Sequence, residues 1–341
     1  MDMRRLLRPL ALVTAASLIL AFTALLGERR VNAVPPPQTL LPEYAASLAR
    51  AQKLEVTHGT GISGTRGLVI SRAADGWVLD ERWGYPANDE LVNETLLALA
   101  DLKAVEARTA KADWHRALGL GVPENLGAAV RFRVSDGAGV EMASLLLGKE
   151  QQSEAEAKQQ VQNYGPELRQ FYVRRADSDQ TWLARGRLPR NREPAAWIDP
   201  SLARHAPEKL QQVRFGKAED KGDAKFKFIR VGEGWSLAGA QDWLRLFETL
   251  RPDDVGRADG INFDTARPFT LSYSDGLSIT YENVGAATVI WSRMSAQAAA
   301  DADAEVVALA AQINARFSSW ALRFTAERSP ILLPAKRDLT R

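Results

Sequence analysis

The chain has 341 residues, 45% of them apolar, with 44 basic and 42 acidic side chains and no cysteine. Enough apolar material for a packed core excludes a disordered or fibrous chain, and a net charge of +2 supplies no global attraction for nucleic acid. The missing cysteines exclude disulfides, thiolate nucleophiles and cysteine-ligated metal sites, and suit an oxidising compartment.

Pro9 to Leu26 is an uncharged run of 18 residues, just long enough as a helix to cross a bilayer core of about 30 Å. Arg4, Arg5 and Arg8 precede it, so the segment is expected to enter N-terminus inside and place everything after residue 27 outside the cytoplasm. A cleaved signal peptide ending near Val31-Asn32-Ala33 is the competing reading. The run exceeds the usual ~7–15 residue signal core, which favours an uncleaved anchor over residues 1–27. Pro35, Pro36 and Pro37 then predict a stiff extended spacer within a linker over 28–50.

Beyond it, patterns of period two and period 3.6 alternate. Leu68 to Ser71 and Trp77 to Leu79 flank Asp75-Gly76, a hairpin signal. The stretch NDELVNETLLALADLKA predicts a helix capped by Asn88, with Leu91, Leu96, Leu99 and Leu102 on or near one face. KADWHRALGL predicts a second helix that stops at Gly119 to Pro123. Val130, Phe132 and Val134 alternate with Arg131 and Arg133 up to a turn at Ser135-Asp136-Gly137. The polar run EQQSEAEAKQQVQN reads as helix or loop, and FYVRRADSDQTWLARG as a further hairpin.

The second half repeats this order. Lys225 to Ile229 alternates, Glu233-Gly234-Trp235 mirrors Asp75-Gly76-Trp77, AQDWLRLFETL is a short amphipathic helix, and Ser274-Asp275-Gly276 turns another hairpin. A strand VIWSRM and a helix over about 303–317 follow. The expected fold is α+β: the anchor, then two similar lobes over 51–205 and 206–330, each an antiparallel sheet with helices on one face, and a tail over 331–341.

Gly59, Gly61 and Gly64 in HGTGISGTRG have the spacing of a dinucleotide fingerprint. That motif needs a preceding strand and a helix opening on the last glycine; here the strand-like LVIS follows, so the stretch reads as a turn between two strands. His58, His115 and His205 have no metal-ligand spacing and read as surface histidines; no nucleophile elbow surrounds Ser63 near His58. Asp80-Glu81 and Asp253-Asp254 read as solvated turn acids, and Trp77, Trp182, Trp235 and Trp291 as core packing. No catalytic, cofactor or metal residue is assigned. The one local charge cluster, Arg174, Arg175, Arg185, Arg187, Arg190 and Arg192, is a candidate patch for an anionic partner, set against a charged hairpin edge that resists mispairing.

Several short segments occur in a telling order: Gly76-Trp77-Val-Leu79, Tyr85-Pro86-Ala87-Asn88, Leu118-Gly119-Leu120 before Pro123, Leu147-Gly148-Lys149, Tyr172-Val173-Arg174 with Trp182-Leu183-Ala184, and Trp197-Ile198-Asp199 with Leu202. Together with Ile313-Asn314-Ala-Arg316 before Trp320, they make the chain, over roughly 50–330 and most strongly in its first half, resemble the family known as domain of unknown function 4340. The resemblance implies a single-pass inner-membrane protein, its C-terminal part in the periplasm, associated with gliding-motility-type ABC export systems. It transfers no catalytic residue. The expected function is therefore a non-enzymatic accessory component of an ABC-type transport system, meeting a permease or other inner-membrane subunits through protein contacts. The alternative is an envelope module that binds a glycan or anionic lipid through the arginine cluster.

Overall fold

The computed structural model describes residues 38–59, 64–151, 169–189, 194–217, 225–285 and 288–340. The expected anchor at 9–26 and the proline spacer lie outside these residues, as does most of the polar run at 150–163. Among the described residues no helix is long and apolar enough to cross a membrane.

The fold is α+β with two antiparallel sheets and few helices. The first sheet holds β1 (Gln38–Thr39), β2 (Ala51–Gly59), β3 (Thr65–Ala73), β4 (Gly76–Leu79), β5 (Tyr85–Pro86), β6 (Lys103–Ala107), β7 (Val130–Asp136), β8 (Glu141–Glu150), β9 (Arg169–Arg175) and β10 (Thr181–Gly186). Helices α1 (Pro42–Ser47), α2 (Asp89–Ala100) and the short α3 (Pro194–Trp197) accompany it. The second sheet holds β11 (Leu210–Phe215), β12 (Phe226–Val231), β13 (Gly234–Trp235), β14 (Asp254–Arg257), β15 (Arg267–Tyr273), β16 (Leu277–Gly285), β17 (Val289–Ala298) and β18 (Trp320–Thr325), with α4 (Ala240–Glu248), α5 (Ala304–Phe317) and α6 (Ser329–Leu332).

Alternation decides which way each strand faces. Val130, Phe132 and Val134 on β7 and Phe226 and Phe228 on β12 are buried, whereas Arg131, Arg133 and Lys227 between them point away. Asn88 caps α2 as expected, its Oδ1 accepting the Leu91 N–H at 3.2 Å, and Val92, Leu96 and Leu99 face the core. A single continuous apolar cluster joins the inward faces of both sheets with α2 and α4, the latter through Trp243 and Phe247. Two smaller clusters lie on the opposite faces: Leu120, Ala129 and Leu146 on the first sheet, Ala258, Phe263, Ala266 and Ala321 on the second.

Apart from β1 and β5, the first sheet runs β6-β10-β9-β8-β7-β2-β3-β4 and the second β14-β18-β17-β16-β15-β11-β12-β13. Counted along the chain, these are the same order. Local detail matches too. A 3₁₀ turn, Leu48–Arg50 or Pro207–Lys209, leads into the first strand of each set. Its last residue pairs with the aspartate of the Ser-Asp-Gly turn, Arg50 with Asp136 at 2.6 Å and Lys209 with Asp275 at 3.0 Å. Arg72 lies over Trp77 at 5.2 Å, and Arg230 over Trp235 at 4.9 Å.

The structure differs from the sequence expectation in four elements. Pro42–Ser47, within the stretch expected as a linker over 28–50, forms helix α1 and buries Tyr44, whose hydroxyl donates to the Leu96 carbonyl at 3.1 Å. KADWHRALGL forms only a 3₁₀ turn at Ala112–Trp114, because Leu118 gives its carbonyl to the Lys149 N–H of β8 and Gly119 takes a left-handed φ of 74°. Lys103 and Ala104, expected as the helix tail, begin β6 instead, paired to β10 and β1. The chain also continues past α5 into β18, which inserts between β17 and β14.

Candidate functional site

The glycine-rich stretch joins two antiparallel strands: β2 ends at Gly59 and β3 begins at Thr65, with no helix opening between them at the described positions. Gly61 and Ser63 lie outside the described residues, while Gly64 has a φ of 88°. At the described positions the flanking elements are thus two antiparallel strands, not the strand followed by a helix that a dinucleotide fingerprint needs.

Two of the three histidines are not simple surface residues. His115 is buried, its Nε2 2.9 Å from the Asp179 carbonyl, and so ties the segment over the outer face to the β9–β10 turn. His205 lies 2.7 Å from Asp275 Oδ2, edge-on to the Tyr273 ring, and Lys209 Nζ donates to the same oxygen at 3.0 Å. Burial raises the Asp275 carboxyl, but hydrogen bonds from His205, Lys209 and the Leu277 N–H outweigh it and hold the group at about 2. The paired acids are structural: Asp80 accepts from Ser71, Glu81 from the Val69 N–H, Asp253 from the Thr325 N–H, and Asp254 binds Arg82. Among the described residues no three His, Asp or Glu side chains gather as a metal site.

The arginine cluster is divided. Arg174 and Arg175 are consecutive on β9 and face opposite sides of the sheet. Arg174 is buried, donating through Nη1 to the Ser178 carbonyl at 3.0 Å, and burial depresses its guanidinium while Asp179 opposes and Arg131 adds to the shift. Arg175 is neutralised by two bonds to Asp177 at 3.0 and 2.7 Å. Arg185 and Arg187 are exposed, with Arg185 between Gln170 and Lys103 in register, and Arg190 and Arg192 lie outside the described residues. Two adjoining cavities of about 210 and 460 Å³ share Pro42 and the Arg175–Asp177 pair. A third, of about 290 Å³, is bounded by Arg230, Trp235 and the carboxylates of Glu208, Glu233 and Glu248. None of the three is lined by a histidine.

Convergence occurs instead among the short sequence segments. Tyr85-Pro86-Ala87-Asn88 meets Trp197-Ile198-Asp199: Ala87 bridges Ile198, the Asn88 N–H donates to the Trp197 carbonyl at 2.8 Å, and the Asp199 N–H to the Pro86 carbonyl at 3.0 Å. Leu118-Gly119-Leu120 meets Leu147-Gly148-Lys149 so closely that a Cβ on Gly148 would stand 2.5 Å from the Leu118 oxygen. Tyr172 and Val173 lie opposite Leu183 and Trp182 on neighbouring strands. Each segment is a place where two stretches of backbone touch.

The first of these meetings lies where the two sheets join. Tyr85 packs edge-on against Trp320 at 5.2 Å, Arg257 covers the other partner at 5.1 Å, and Arg82 clasps Asp254 at 2.7 and 3.3 Å. Arg316 pairs with Asp199. Burial, with Asp199 adding and Arg316 opposing, pushes the Tyr85 phenol far above its usual range, so it stays neutral. No signal in the sequence marked Arg82, Asp254 or Trp320 as partners, because Arg82 and Asp254 are 172 residues apart. What this junction offers is rigidity rather than an exposed nucleophile or base.

Neither a curated protein nor a solved structure matches the chain. A family profile described as "Domain of unknown function (DUF4340)" matches residues 77–258, more than half of the chain, and the span contains nearly all the segments that meet one another above. By that match the chain belongs to the DUF4340 family.

Proposed function

We propose that this protein is a non-enzymatic, periplasm-facing accessory component of an ABC-type transport system, tethered to the inner membrane through residues 9–26 and working through protein contacts. In this reading the two sheets are copies of one unit, an interpretation supported by their common strand order.

One observation carries the proposal. Trp83 and Leu126 stand 62% and 57% exposed on left-handed backbone, with φ of 54° and 58°. Bulky side chains avoid that region, and apolar ones avoid water, so each of these two positions, strained and exposed together, fits a contact point whose partner offsets the cost. The family's short segments support the same reading, since they are engaged in holding backbones together. The glycan or anionic-lipid alternative loses support because Arg174 is buried and Arg175 already paired.

Crosslinking in intact cells, followed by affinity purification of the full-length chain and mass spectrometry, tests the proposal. The expected result is recovery of an ABC permease or its ATPase, reduced severalfold by Trp83→Ala with Leu126→Ala while the thermal midpoint holds or rises. Recovery of no membrane protein under any condition overturns it.

A further inference from the structure

The outer face of the second sheet is covered over only part of its width. Phe263 and Ala266, from the segment after β14, pack with Ala321, Val284 and Trp291 over β18, β16 and β17. Arg293 closes that cover, lying over Phe263 at 4.5 Å and binding Glu282 at 2.7 Å. Beyond it, on β11 and β12, the outward positions are open. Arg214 and Lys227 are directly opposite each other in register, both exposed, and neither is engaged in an ion pair among the described residues. The other neighbour of Arg214 is Thr270, which brings no charge.

Like charges placed directly across a sheet destabilise it, so such a pair calls for a counter-charge. In the first sheet the corresponding surface supplies its own. Glu55 on β2 lies opposite Arg133 and takes both it and Lys53 at 3.4 Å, and Arg133 also binds Glu141 at 3.0 Å. Among the described residues the second sheet has two cations and no carboxylate at the matching place. Along the same face of β12, Ile229 and Val231 follow Lys227 at every second position and are 40% and 59% exposed. The row therefore alternates with a strand's period: cation, apolar, apolar. On its outer rim β12 pairs with β13 only at Arg230 and Val231, which leaves Phe226 to Phe228 without a second strand among the described residues.

We propose that this face is a docking surface for an acidic, extended segment of a partner protein. Its carboxylates would lie against Arg214 and Lys227, and its apolar side chains would cover Ile229 and Val231. Charge complementarity selects the acid, and the two-residue spacing beside an open rim selects an extended chain over a lipid headgroup, which would neutralise the cations and leave the apolar row wet. The proposal rests on the protein-contact reading above and locates one such contact.

The test is fluorescence anisotropy of a labelled peptide alternating Glu and Val, titrated with the purified full-length chain in detergent. Binding should weaken with salt and fall by about tenfold or more in Arg214→Glu with Lys227→Glu. Lys227→Glu alone should also lose affinity while its thermal midpoint holds or rises, because it places opposite charges across the strands; that separates lost docking from lost folding. Equal binding by the charge-reversed variant, no binding, or equal binding of a Lys-Val peptide overturns the surface. So does retention on phosphatidylglycerol vesicles, abolished by the same double variant, in a chain that ignores the peptide, since that outcome assigns the cations to a membrane. A failed titration alongside an intact permease complex removes this surface and leaves the protein-contact reading standing; an intact titration with no membrane partner does the reverse.

Discussion

Asp275 shows how far a turn residue's surroundings set its chemistry. Its carboxyl sits at about 2 against an ordinary 3.8, because hydrogen bonds from His205 and Lys209 outweigh the cost of burial. The folded state therefore holds fewer protons on this group than the unfolded chain as pH falls. The stabilisation is complete above about pH 4 and is lost as pH drops through about 2. Asp275→Asn should cost roughly 1–2 kcal/mol at neutral pH and flatten the acid limb of the stability profile between those values, measured by denaturant melts across the pH range. An unchanged acid limb would show that the cluster contributes nothing to stability. The Ser-Asp-Gly signal located the turn from sequence alone. The partners of Asp275 were out of reach, since Lys209 lies 66 residues away and is brought there by the pairing of β11 with β15.

Helix α2 is the element whose local code is complete. Its cap, its acidic first turn and its apolar face all lie within one short stretch. Asn88 also binds outward through Nδ2 to the Ala196 carbonyl at 3.4 Å, linking the helix start to the Trp197-Ile198-Asp199 segment. Asn88→Ala should destabilise the protein by about 1–2 kcal/mol, while Asn88→Ser, which keeps the capping oxygen, should lose less; chemical denaturation of the two variants measures the difference. The neighbouring elements were not legible in this way. KADWHRALGL has helical composition, yet under three turns' worth of propensity is weaker than backbone bonds to β8 and a buried His115. Lys103 to Ala107 carries no strand alternation and becomes β6 because β10 and β1 offer it hydrogen-bond partners on both sides.

At the scale of the whole molecule, the two sheets are joined by a continuous core and by a junction of few residues, Tyr85 with Trp320 and Arg82 with Asp254. Replacing Tyr85 and Trp320 by Leu, singly and together, should reveal a coupling of about 0.5–1.5 kcal/mol in a double-mutant cycle. Additive effects would mean that the ring contact is incidental to how the sheets are held. The ion pair is only partly shielded from solvent and is expected to contribute less than the rings. By itself the sequence determined the local and the repeating: the apolar alternation of β7 and β12, the capped α2, the acidic-Gly turns and the family segments, because each depends on residues a few positions apart. Only the tertiary structure decided that those segments touch pairwise, that Arg174 is buried against the Ser178 carbonyl, and that Arg214 meets Lys227 with no acid between them among the described residues. These are properties of strand register, set by hydrogen bonds between distant stretches of backbone, which no local pattern encodes.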